Sequence, residues 1–394
     1  MITLTRGTAA EFEEIIDFID FVFSKNSAPH DFPKMYPNLY RPTDECMNAL
    51  VNLREDGVIK SSVLVLPRTL SVNGTELKVY GIGNVATHPR ARGRGFMSRI
   101  MNETTAELKA TGAALGMLGG RRSRYNRFGY EVGGNAYQMD FAGSDVTEAW
   151  PDFKADAYTF RTFEADETEL IDRLHAIYNA KPVHYCYDRD NYVLRFYNFY
   201  NWNGNRPYAV YDASGAPIGC LALSGISGDR ARVCELVTAD DAVFEDVLFA
   251  FAVQQNLRLN VKLAPWQFRF VQRMLRIGAA LSGGADAMWN VFDWPLVLKT
   301  LLSFKAGYVD LENGTMVIDI GESGRWGVTV TDGKAAVEPA ACPADLELSA
   351  LDAVYTLTGL TPSALVSRRL PQRVQRLFAS WFPLPLAHFD TERV

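Results

Sequence analysis

Four arginines and two glycines crowd the stretch ATHPRARGRGFMSRIM, residues 86–101. Gly93 and Gly95 let a backbone curl around an anion with no Cβ in the way. Arg90, Arg92, Arg94 and Arg99 can add charge-assisted contacts. If a helix starts here, its first N–H groups point out of the N-terminus, where the helix dipole also favours negative charge. The chemistry of such a set is capture of a phosphate or pyrophosphate; the plainer reading is a solvated basic helix end. The pattern is not GxxxxGK[ST], which argues against a nucleoside-triphosphate loop. Nor is it GxGxxG with a downstream acidic ribose ligand, which argues against a dinucleotide site. A second candidate is Tyr125 in RYNRFGYEVG, a phenol able to hand a proton to a leaving group. With 17 tyrosines in the chain, residue type alone does not separate that role from core packing. His30 and Asp31 either line a substrate pocket or belong to a surface loop.

These residues act only if local structure presents them. Thr3 to Arg6 reads as a strand. Thr8 as N-cap and Glu11 at the capping-box position predict a helix to about Phe23, with Phe12, Ile15, Ile16, Ile19 and Phe23 on its apolar face. After the loop SAPHDFPKMYPNLYRPTDE come two strands, SSVLVLPRTLSV and ELKVYGIGNVATHP, joined at Asn73-Gly74. A helix is expected over roughly Gly93 to Gly112, then a buried strand in ALGMLGG, then a short helix and a strand in YNRFGYEVGGNAYQMDF. The order β-α-loop-β-β-α-β-α-β is an α/β layout with its glycine turn at a strand-to-helix junction.

The pattern repeats. YTFRTFEADETELIDRLHAIYNA restates the strand-then-helix opening, and residues 206–264 restate hairpin, strand, helix and strand. Where the first copy has HPRARGRGF, the second has TADDAVFED, with acidic residues and no glycine, so it keeps the architecture and loses the anion site. A third segment starts near residue 286. It reads as a strand and helix in AMWNVFDWPLVLKTLLSF, three strands with Gly-rich turns, and a helical tail: a small α+β unit.

At Arg92-Gly93-Arg94-Gly95-Phe96-Met97 the chain resembles the GNAT N-acetyltransferases, whose pyrophosphate loop reads Arg/Gln-x-x-Gly-x-Gly/Ala, with Met97 departing from the usual small residue. Over nearly its full length it resembles the Eis family, through the three-part order, the glycine-free second copy, Met97, and the Tyr-x-Arg-Phe-Gly-Tyr stretch in RYNRFGYEVG. The resemblance implies two tandem GNAT-type domains, the second degenerate, plus a sterol-carrier-protein-like C-terminal domain, with boundaries at 1–148, 149–285 and 286–394. It implies acetyl transfer from acetyl-CoA to a primary amine in a ternary complex, without a metal. Val85, Ala86 and Thr87 would pair with the pantetheine arm, and Arg90 with Arg92 to Met97 would hold the phosphates. Tyr125 would protonate the leaving thiolate. The family's base is the chain's own C-terminal carboxylate. Here Phe389 matches the usual aromatic end and five residues follow it, so either the tail bends to bring Val394 to the site or the base is a different group. Asp31 is carried as a substrate-side residue. Arg121, Arg122, Arg124 and Arg127 hold the CoA 3′-phosphate, or else they face the substrate and disfavour polycationic amines. The resemblance also implies a homo-oligomer, a hexamer.

Bulk properties narrow the field. A 394-residue chain, 48% hydrophobic and 22% charged, suggests two or three domains, and a net charge of −6 gives no general attraction to nucleic acid or acidic membranes. The N-terminus is acidic and amphipathic rather than a signal peptide, and no apolar run approaches the ~18 residues of a membrane span. Cys46, Cys186, Cys220, Cys234 and Cys342 are scattered and lack metal spacing, which reads as reduced thiols in a cytoplasmic protein. A reading from another class is a non-catalytic acyl-CoA or lipid-binding protein.

Overall fold

The computed structural model describes residues 1–197, 207–285, 287–360 and 366–392. The chain opens with β1 (Ile2–Arg6) and, after a single turn, α1 (Phe12–Ser24). The Thr8 N–H donates to Glu11 Oε2 at 3.0 Å, so the capping box forms where the spacing predicts it. Ile15, Ile16, Ile19 and Val22 make the buried face of α1. Next come β2 (Leu50–Glu55), β3 (Val58–Val72) and β4 (Thr75–Thr87), paired antiparallel in sequence order. Asn73 and Gly74 take φ of 47° and 78°, the left-handed geometry of a two-residue hairpin turn. Helix α2 (Phe96–Ala110) crosses over to β5 (Leu115–Leu118), which lies parallel to β4. The helix starts at Phe96 rather than Gly93, because Gly93 and Gly95 sit at φ of 77° and 78°, outside helical geometry. The short α3 (Arg122–Tyr125), β6 (Glu131–Gly133) and β7 (Ala136–Ala142) follow.

The same order returns from Thr159: β8 (Thr159–Thr162), a helix Thr168–Asn179, β9 (Val183–Tyr185), β10 (Tyr208–Tyr211), β11 (Pro217–Ser227), β12 (Arg230–Thr238), a helix Phe244–Gln255, β13 (Arg258–Leu263), β14 (Ala280–Gly284) and β15 (Ala287–Val291). Among the described residues, one sheet runs β1-β2-β3-β4-β5-β15-β6 with β9 beside β3, and a second runs β8-β10-β11-β12-β13-β7-β14. The two orders are equivalent, with one strand exchanged. β7 leaves the first unit to sit between β13 and β14, where Met139 and Phe141 are fully buried, and β15 fills the matching place between β5 and β6 with Trp289 fully buried. The sheets therefore do not follow cuts at 148/149 and 285/286. Residues 287–291, read as the head of the third segment, complete the first sheet instead. An apolar strand pattern specifies which face is buried, not which neighbour supplies the hydrogen bonds.

The remainder is α+β. A helix Trp294–Lys305 and helices Ala350–Thr358 and Gln372–Trp381 pack with β16 (Gly314–Asp319), β17 (Arg325–Thr331), β18 (Lys334–Pro339) and β19 (Leu346–Glu347), ordered β18-β17-β16-β19. Its core is continuous with the first sheet: Trp294, Phe378 and Trp381 share one buried cluster with Leu70, Val79 and Trp289. Lys305 Nζ donates to the carbonyls of Ser380, Trp381 and Pro383 at 2.9–3.2 Å, pinning the point where the C-terminal tail departs. Among the described residues no helix is long and apolar enough to cross a membrane.

Candidate active site

β4 and β5 pair only through Ile82↔Leu118, and β4 continues to Thr87. Beyond Ile82 the edge of β4 that faced β5 has no strand partner among the described residues, so the sheet opens into a cleft. Asn84, at φ 50°, marks the register shift between β3 and β4 at this point. Val85 packs towards the α2 side and Ala86 towards the α1 side. Ser61 Oγ donates to the Ala86 carbonyl at 2.7 Å and lies 3.0 Å from Thr87 Oγ1, fixing the strand's end.

A sharp turn closes the cleft. His88 Nδ1 accepts the Arg90 N–H at 3.1 Å, with Pro89 at the first position of the turn, where its missing N–H costs nothing. The N–H groups of Gly93 to Ser98 find no acceptor among the described residues. A Cβ built on Gly93 or Gly95 would meet no protein atom within 4 Å, so both glycines border open space. The arginines divide. Arg94 forms a two-pronged ion pair with Glu55 of β2, one contact at 2.8 Å, and Arg92 donates to Asn26 Oδ1 at 3.0 Å. The side chains of Arg90 and Arg99 are exposed and make no ion pair or hydrogen bond among the described residues. The free charge at this helix mouth therefore comes from the backbone, Arg90 and Arg99, rather than from all four arginines.

Tyr125 ends α3 beside the cleft. Its ring shares one buried cluster with Ile82, Ala91, Phe96 and Leu118, against which Val85 and Met97 pack. A Cβ on Gly120 would come within 2.9 Å of Tyr125 Cε2, so Gly120 is what lets the ring lie down here. Burial pushes the Tyr125 hydroxyl above the usual phenol value, and its hydrogen bond with Arg124 opposes part of that rise. The phenol is thus held protonated at neutral pH. The neighbouring arginines are largely committed: Arg122 makes a bidentate pair with buried Glu131, and Arg127 lies over the Phe128 ring. Asp31 is exposed and caps the short helix Phe32–Met35 by accepting the Lys34 N–H at 3.1 Å. Tyr130 is fully buried and packs in the core.

On the α1 side of the sheet, a cavity of about 260 Å³ is lined by Leu39, Arg41, Leu66, Arg68, Tyr187 and Asn191 among others. Leu66 pairs with Gly81, one residue before the β4–β5 pairing ends, so this cavity adjoins the crotch of the cleft. The C-terminal tail leads to it. Residues 384–388 and 390–392 are buried, and Glu392 is held by Arg68 at 2.8 Å, by Arg195 at 3.5 Å and by the Tyr187 hydroxyl. Val394 lies outside the described residues. Sequence reasoning missed Arg68 and Arg195. The available signal was a lone arginine inside an apolar strand pattern (VLPRTL) and another inside an aromatic helical run (YVLRFY).

A splayed parallel pair feeding a glycine-turned helix mouth fits a GNAT-type α/β fold, and the second unit repeats its strand order without the glycine turn. Residues 3–133 match the acetyltransferase (GNAT) domain. No curated protein matches the chain in sequence. Among solved structures it is similar to a conserved protein of unknown function from Enterococcus faecalis described as a probable N-acyltransferase, at 17% identity and a TM-score of 0.70, over 98% of this chain and 99% of that one. It is similar to a GCN5-related N-acetyltransferase from Kribbella flavida at 16% identity and a TM-score of 0.70, over 98% of each chain. It is also similar to Eis1 from Mycobacterium abscessus at 11% identity and a TM-score of 0.70, over the whole of both chains.

Proposed function

We propose that the protein is an Eis-like, acetyl-CoA-dependent N-acetyltransferase acting on a small-molecule primary amine. The observation that carries this reading is the helix mouth: six consecutive N–H groups, Gly93 to Ser98, that find no acceptor among the described residues, close to a buried phenol. In this reading the N–H groups of Gly93 to Ser98, with Arg90 and Arg99, hold the pyrophosphate, and Val85 to Thr87 hold the pantetheine arm. Bound acetyl-CoA supplies an acetyl group activated as a thioester. The amine enters the cavity beside Leu66, which sets its nitrogen against the crotch of the cleft. As the amine nitrogen bonds to the acetyl carbon and the C–S bond breaks, Tyr125 gives its proton to the departing sulfur. The amine's surplus proton passes to the Val394 carboxylate. In this reading two GNAT-type units, with β7 and β15 exchanged between them, are followed by a last domain of sterol-carrier type that carries the tail.

A thiol-release assay with acetyl-CoA and a panel of small amines tests the reading, and CoA-dependent turnover with at least one of them is the expected result. CoA binding without turnover would favour a non-catalytic acyl-CoA binder, and neither binding nor turnover would sink both. The cradle has its own check. Gly95→Val forces a Cβ into the left-handed region, at about 1–2 kcal/mol, and crowds the N–H groups. The CoA Kd measured by calorimetry is expected to rise at least about tenfold, the equivalent of one lost charge-assisted bond.

A further inference from the structure

The second unit retains a cleft of its own. β12 and β13 run parallel through Val233↔Val261, and β12 then continues five residues to Thr238, as β4 continues from Ile82 to Thr87. The helix mouth behind it is closed to anions. Asp240 caps it by accepting the Ala242 N–H at 2.8 Å, and Asp241 is paired with Lys181 and Arg269. Phe244, first residue of the helix, stacks on Phe270 with ring centroids 4.2 Å apart. A cavity of about 110 Å³ remains between the splayed strands, and Phe389 of the C-terminal tail forms part of its wall with Trp266.

The tail is fastened to these two strands residue by residue. Lys262 of β13 donates to the His388 carbonyl at 2.6 Å and reaches Asp390 at 3.4 Å. Arg232 of β12 pairs with Asp390 at 2.6 Å. Glu235 of β12 accepts from Thr391 Oγ1 at 3.2 Å and from both prongs of Arg195 at 2.8 Å, and Arg195 in turn reaches Glu392. Phe389 sits edge-on to Tyr185 and beside Trp266. Chain ends ordinarily fray unless something ties them down. Here residues 390–392 are each at most 5% exposed, and their two acids meet Arg232, Lys262, Arg195 and Arg68.

We propose that the cofactor-type cleft of the degenerate second unit is the socket for the protein's own C-terminal tail, and that Lys262, Arg232 and Glu235 are positioning residues for the chain end. The strands that cradle the cofactor in one copy hold the catalytic tail in the other, which gives the inactive copy a task. The socket stands on the contacts alone; its effect on turnover rests on the reading of Val394 as the base.

Carboxypeptidase digestion of the full-length chain, followed by mass spectrometry alongside steady-state kinetics, tests it. The wild-type chain should lose nothing beyond the residues after Glu392. The double variant Lys262→Met with Arg232→Met should shed residues back to Phe389 at least about tenfold faster, from loss of charge-assisted bonds to a buried segment. Its kcat should fall by a comparable factor, with the KM for acetyl-CoA unchanged within about twofold. Lys262→Arg should restore both protection and turnover relative to Lys262→Met. Tyr125→Phe should lose turnover with its tail still protected, which separates the socket from the chemistry. A wild-type tail digested as fast as that of the double variant overturns the socket, as does a double variant that stays fully protected. A released tail with wild-type kcat overturns the positioning role. If no amine supports turnover in the wild-type chain, the digestion pattern alone decides the socket, and the functional reading fails separately.

Discussion

Tyr125→Phe is expected to lower kcat for acetyl transfer by about 10²- to 10⁴-fold, the usual worth of a positioned general acid, with little change in CoA affinity. The substitution is clean because the ring is what the fold uses. Tyr125 packs within the cluster that holds Ile82, Phe96 and Leu118, and Gly120 makes room for the ring rather than for the hydroxyl. Phe keeps those contacts and loses only the hydroxyl's hydrogen bond with Arg124, so the variant should unfold within a few degrees of the wild type. Burial raises the phenol's pKa, so the group is protonated throughout the neutral range and the alkaline fall in kcat should lie above the ordinary phenol value near 10. Measuring kcat and the KM for acetyl-CoA across pH decides the matter. A variant with wild-type kcat would make Tyr125 a packing residue.

Arg195→Leu is expected to give the largest loss of stability, about 3–5 kcal/mol by urea denaturation, because it strands buried charge. The guanidinium is fully enclosed, with bidentate contacts to Glu235 at 2.8 Å and an ion pair to Glu392 at 3.5 Å, and both acids are themselves buried. Removing the cation strips Glu235 of its bidentate partner and leaves Glu392 with Arg68 as its remaining cation. Adding Glu235→Gln to Arg195→Leu should recover part of the loss, a coupling that a double-mutant cycle reads directly. Equal and additive effects would mean that the arginine contributes packing rather than charge balance.

These two residues mark the two kinds of information in the molecule. The cradle at residues 88–96 is local: His88 caps the turn, two glycines take left-handed φ, and the helix begins where they stop, all within nine consecutive positions. Local chemistry of that sort is written in residue type and spacing, so the turn, the helix and the strand before it were legible, as were α1 with its Thr8–Glu11 box and the Asn73-Gly74 hairpin. The repeated strand order was legible for the same reason, since each element is specified by its own periodicity.

What the sequence by itself determined, then, is the set of elements, their order, their duplication and the glycine turn at the helix mouth of the first copy. The tertiary structure decided which strands pair, and it exchanged β7 for β15, because a buried apolar strand fits either sheet equally well by pattern. It also decided which arginines stay free at the cradle, since Arg94 and Arg92 are drawn to Glu55 and Asn26, dozens of residues away. Above all it decided the route of the tail: Arg68 and Glu392 are separated by 324 positions and meet at 2.8 Å. No periodicity links such residues. Their contact exists only when two sheets and a third unit are already packed, and single buried charges leave no pattern until their partners are in place.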